Sequence, residues 1–132
     1  DGGSAKGAEQ AALARVQVIE AQLQETRLVL QEQLATAWGD WQSATHRAAL
    51  GRQQTLTTQQ LATGYAQQFK VGRRALLDLL NIQSELYNYQ NAALEASHEA
   101  RTAQARVLAT LGQLADAFAT SPQTPTTPTT PR

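Results

Sequence analysis

Between Leu79 and Leu114 the apolar and small residues fall at Leu79, Ile82, Leu86, Tyr89, Ala93, Ala96, Ala100, Ala103, Val107, Thr110 or Leu111, and Leu114. The spacing alternates three and four without a slip, which is the 3.5-residue period of a left-handed coiled coil rather than the drifting 3.6-residue stripe of a helix on a globular core. A sequence that holds this period has few folds open to it: the residues must lie along another helix. Four consecutive seam positions are alanine, so the partner backbone can come close, or something large can stand opposite.

The partner is found in the same chain. No proline interrupts the stretch from about Ala5 to Phe69, and strong helix formers fill most of it, which predicts one helix over about 5–69. A bend at 70–73 and a return helix over about 74–117 follow, with Gly72 supplying the left-handed backbone that ends the first helix. The expected fold is all-α, a long antiparallel helical hairpin spanning 1–118. The threonine- and proline-rich end, 119–132, is expected to be a disordered tail. Gly39, Gly51 and Gly64 each cost about 1 kcal/mol against alanine and mark places where the first helix could bend.

In an antiparallel hairpin turning at residues 71 and 72, facing positions add to about 145. That register sets Ala100 and Ala103 opposite the stretch holding Trp41 and Thr45, and Val107 opposite Trp38, so large residues are expected to oppose small ones. It also leaves residues 5–27 uncovered, because a return helix ending near Leu114 or Ala117 reaches back only to about Leu28 or Gln31. Leu13, Val16, Ile19 and Leu23 still run along that stretch at helical spacing, and an apolar stripe of this length predicts an oligomer, further chain, or both.

Composition removes several functions. Eleven basic residues balance eleven acidic ones, which argues against a phosphate-tracking nucleic-acid binder. The chain has no cysteine, so thiolate metal sites, disulfides and cysteine nucleophiles are excluded. The two histidines, His46 and His98, could lie at similar heights but fall off the seam, and no enzyme activity, metal or cofactor is expected.

The bend carries the most unusual chemistry. Arg73 and Arg74 stand at the start of the return helix, where an acidic residue is favoured. They either complement, with Lys70, the negative end of the first helix, or one of them reaches a carboxylate or carbonyl on a neighbouring helix pair. Asp78 is well placed for the dipole of the return helix. Leu76, Leu77, Leu79 and Leu80 are too many for one seam and call for a second neighbour.

The segment YAQQFKVGRRALLDLLNIQSELYNYQNA, continuing into ARVLATLGQL, resembles the C-terminal repeat of the TolC-like outer membrane efflux proteins, which include the outer-membrane components of type I secretion. The opening Gly-Gly followed by a long helix is similar to the way that family leaves its last barrel strand. The resemblance implies a homotrimer whose β-barrel, outside this chain, crosses the outer membrane of a Gram-negative bacterium, and whose helices form an α-barrel tunnel through the periplasm. It implies a fragment, with barrel strands and an earlier repeat elsewhere. On the family's pattern Val71, Gly72, Arg73, Arg74, Leu76 and Leu77 form the tip that docks a periplasmic adaptor (membrane fusion) protein, and through it an inner-membrane pump. Arg74, Asp78, Asn81 and Phe69 fall on the entrance gate. Phe69 stands where some members have a tyrosine and Asn81 where some have a second aspartate, which removes one hydroxyl and weakens a negative ring. The alternative is a free-standing coiled-coil scaffold or a periplasmic adaptor hairpin with no channel role.

Overall fold

The computed structural model describes residues 2–119. It is all-α among those residues: α1 spans Gly2–Lys70 and α2 spans Leu76–Ala119. The first helix therefore starts ahead of the expected Ala5, with Gly2 and Gly3 inside its opening turn, and shows no break at Gly39, Gly51 or Gly64. The second starts two residues beyond the expected Arg74 and runs on through Ala119. Positions 120–132 of the expected tail lie outside the described residues.

Two units are distinguished, Ala35–Leu108 and the remainder, residues 2–34 with 109–119. In the first unit the return helix buries the face read from its spacing: Ile82, Ala93, Ala96, Ala103 and Val107 are buried, and Leu79, Leu86, Tyr89 and Ala100 are half-buried. What faces them is a second alternating row on α1, made of Ala37, Trp41, Ala44, Ala48, Gly51, Thr55, Thr58, Ala62 and Tyr65, each buried or half-buried. Gly51 meets Ala93, Arg47 meets Glu99 and Asp40 meets Arg106, all within about one residue of the expected register.

The expectation that large residues oppose small ones is corrected. Trp38 and Thr45 are exposed and Trp41 is half-buried, whereas Ala44, Ala48 and Gly51 lie against the alanines of α2. At Gly51 small faces small, against Ala93, and alanines along both rows let the helices approach closely; Trp38 stays outside that seam, while Trp41 is half-buried in it. The two tryptophans pack instead on each other, ring centroids 5.2 Å apart and nearly perpendicular. Gly51 is likewise no hinge: a Cβ placed there would lie 3.0 Å from both Cα and Cβ of Ala93. Thr55 can occupy the seam because its hydroxyl donates to the Gly51 carbonyl one turn back at 2.8 Å, which leaves its methyl for the partner.

In the second unit Leu30, Thr110 and Leu114 are buried and Leu23, Arg27, Leu34 and Ala117 half-buried. Thr110, not Leu111, is the seam residue; Leu111 is exposed. Arg27 donates through Nε and Nη2 to the Ala117 carbonyl at 3.3 and 3.1 Å, and its guanidinium lies 4.6 Å from the Phe118 ring centroid. It thereby ties α1 to the last turn of α2. Cover thus extends further back than the expected Leu28, to Leu23, and ahead of it Leu13, Val16, Val18 and Ile19 are all exposed.

Candidate functional site at the bend

The bend is built by its backbone. Gly72 has φ +74°, the only positive φ among the described residues. Its N–H donates to the Phe69 carbonyl at 3.0 Å, and the Arg73 N–H donates to the Gln68 carbonyl at 2.8 Å. Those two bonds, nested around a left-handed glycine, form a Schellman motif that satisfies the last carbonyls of α1 and turns the chain back. Any residue with a Cβ would be strained at Gly72. Ala75 then precedes α2, and the Asp78 N–H donates to its carbonyl at 3.1 Å.

Arg74 sits in that turn ahead of α2 with three partners. Its Nε and Nη2 donate to Oε1 of Gln68 at 2.8 and 2.6 Å, its Cζ lies 3.9 Å from the Tyr65 ring centroid, and Nη1 is 3.7 Å from Oδ2 of Asp78. The arginine that is locally misplaced at a helix start is thereby tied across the bend, its face on one residue of α1, one edge on another, and its charge beside an acid in the first turn of α2. Asp78 serves two electrostatic needs at once: it complements the positive end of the α2 dipole and balances Arg74.

Of the residues expected at the tip, Val71, Gly72, Arg73, Leu76 and Leu77 are exposed together around the turn, and Arg74 is half-buried. Among the residues expected at the gate, Arg74 and Asp78 are brought together, while Phe69 and Asn81 are exposed and take no part in the Arg74 cluster. Tyr65 and Gln68 are the members that sequence reasoning missed. Both lie within the last two turns of α1, three residues apart, so they share a face of the helix; that spacing was the available signal.

The rival histidine site does not assemble. His98 lines a groove of about 400 Å³ with Asp40, Arg47, Glu99 and Arg106, whereas His46 lines a separate one beside Trp38 and Trp41. Among the described residues no group of three or more His, Cys, Asp or Glu could hold a metal ion, and no helix is long and apolar enough to cross a membrane.

No family model matches the chain, and no solved structure matches it. Among curated proteins it is similar to the outer membrane efflux protein BepC of Brucella suis biovar 1 (strain 1330), with 28% identity over 85 residues. The match takes in 64% of this chain and 19% of that protein, so the chain spans about a fifth of the relative's length. What the comparisons and the fold establish together is an all-α hairpin with a weak likeness to an outer membrane efflux protein.

Proposed function

We propose that this chain is a periplasmic tunnel segment of a trimeric outer-membrane channel for efflux or type I secretion, of the TolC-like kind, and that its bend is the gated entrance where an adaptor protein docks. The observation that carries the reading is the 85-residue likeness to an outer membrane efflux protein. The packing supports it. One seam covers one face of each helix, and large apolar side chains remain outside it on both, among them Leu50, Leu56 and Leu61 on α1 and Tyr87, Leu94 and Leu108 on α2. A hairpin arranged in this way is suited to lie beside further helices, as the wall of a tunnel requires.

At the tip, Val71, Leu76 and Leu77 expose apolar surface next to the cationic Arg73, a surface suited to an adaptor of mixed apolar and acidic character. The gate works without covalent chemistry: Arg74 and Asp78 contribute polar contacts between neighbouring hairpins that hold the closed arrangement, and a partner that binds the open arrangement better shifts the balance. The test uses the complete gene product in a planar bilayer. A narrow pore is expected for the wild type, and Arg74→Glu, which sets like charge against Asp78, is expected to raise single-channel conductance. Absence of a pore, or an unchanged conductance in the variant, would count against the channel and the gate respectively.

A further inference from the structure

We infer that Tyr65 and Gln68 are positioning residues of the tip, which hold the guanidinium of Arg74 by its face and its side-on edge and leave its end-on edge, beside Asp78, to carry the charge interaction. Both residues lie in the segment that carries the resemblance, but neither is among those it implies for the tip or the gate. Their part is geometric and rests on four distances.

A guanidinium is planar and offers two forked edges, one formed by Nε and Nη2 and one by Nη1 and Nη2. Gln68 takes the first with a single oxygen, at 2.8 and 2.6 Å. The Tyr65 ring lies 3.9 Å from Cζ, within the range in which a cation is drawn to the face of an aromatic ring. Asp78 stands 3.7 Å from Nη1, on the second edge. Face and first edge are bound to α1, and only the second edge is turned to the acid of α2.

Orientation follows. An arginine in a turn ordinarily samples many rotamers, and ordering it costs a contact its entropy. Here the plane is fixed by the ring and the rotation about that plane by the amide, so the outward edge is set before any partner arrives. A lysine could not be held in this way, having neither a plane nor a side-on edge. The arrangement is internal to one hairpin. It attaches the arginine to its own α1.

The role of the pair at a channel entrance rests on the function proposed above; the clasp itself does not, and its test uses this chain. In the arginine-labelled protein the Arg74 Nε–H resonance, identified by its loss in Arg74→Lys, is expected upfield because of the Tyr65 ring current. Tyr65→Leu should abolish that shift and Tyr65→Phe should keep it. Gln68→Leu should speed exchange of the Nε proton with water by about tenfold, as expected for the loss of one charge-assisted hydrogen bond, and Gln68→Glu should restore protection. The Gly72 and Arg73 amides report whether the bend itself is intact. Should Tyr65→Leu unravel it, the two Gln68 variants, which leave the ring in place, decide alone. An Nε–H that ignores Gln68→Leu overturns the inference. In the complete channel Gln68→Leu is then expected to raise conductance in the direction of Arg74→Glu. A wild-type pore that does not respond to Gln68→Leu overturns the entrance role, whereas failure to find any pore defeats the channel reading and leaves the proton exchange to judge the clasp.

Discussion

Replacing Gly51 by alanine sets two effects of opposite sign against each other. In an open helix the change is favourable, since glycine costs about 1 kcal/mol relative to alanine in a helix interior. At Gly51 the new methyl would sit 3.0 Å from Cα and Cβ of Ala93 and 3.4 Å from its nitrogen, where carbon atoms prefer about 3.5–4.0 Å. The obstructing atoms are backbone and the first side-chain carbon, so no rotamer change can relieve them. The helices must separate locally by roughly half an ångström, which loosens the contacts of Ala48 and Ala96 on either side. Overpacking of this kind costs about 1–3 kcal/mol. The net expectation is a protein destabilised by about 0–2 kcal/mol.

Gly39 and Gly64 give the reference, since a Cβ at either meets nothing within 4 Å. Gly39→Ala and Gly64→Ala should each stabilise by about 1 kcal/mol. Urea unfolding followed by circular dichroism at 222 nm, at one fixed protein concentration because association shifts apparent stability, reads all three. Ala93→Gly supplies the cross-check: in the Gly51→Ala background it should cost less than it does alone, because the two positions are coupled. If Gly51→Ala stabilised as much as Gly39→Ala does, the close approach of α1 and α2 at this level would be wrong, and the small-on-small seam with it.

Three further tests address the packing and the charges. Val107 is buried and its neighbour Leu108 is 63% exposed, so Val107→Ala should cost about 1.5 kcal/mol and Leu108→Ala less than about 0.5; equal losses would misplace the seam. The Arg47–Glu99 pair, at 2.6 Å with both side chains about half exposed, should show a coupling of less than about 1 kcal/mol in a double-mutant cycle and fade in high salt. Sedimentation over a range of concentrations should reveal self-association, weakened when Leu13, Val16 and Ile19 are replaced by serine; a monomer at every concentration would contradict the idea that this stripe is covered in an assembly.

The return helix was legible because its seam is written in apolar and small residues at regular spacing, and the positions so identified are buried or half-buried, with Thr110 rather than Leu111 in the seam. The matching row on α1 was not, although its alternation is as regular. Its positions include Arg27, Gly51, Thr55 and Thr58, which register as polar or as helix breakers until the residues opposite are known. Trp38 misled for the converse reason: a large aromatic invites burial, yet it is exposed, and Trp41, three residues on, takes the half-buried seam position. At the bend, Gly72 and the reversal it produces could be read directly. The attachment of Arg74 to Tyr65 and Gln68 could be read only in part: their spacing puts those two on one face of α1, but that the arginine beyond the turn folds back onto that face depends on the geometry of the turn.

The distribution of side-chain size carries the physical argument one step further. Burying an alanine methyl is worth about 0.8 kcal/mol, and a leucine about 1.5–3. In the unit Ala35–Leu108 the buried positions of α1 are alanine, glycine and threonine, while Leu50, Leu56 and Leu61 stand outside the seam. On α2 the residues at 80, 87, 94 and 108 are Leu, Tyr, Leu and Leu, all exposed and all separated by multiples of seven. An ordinary two-stranded coiled coil does the reverse, with its leucines inside and its small and polar residues outside. In this chain the internal seam sets a close spacing between helices at little gain in burial, and a second heptad row holds the larger apolar area in reserve. That division suits a hairpin whose geometry is fixed by its own contacts and whose stability is completed by its neighbours.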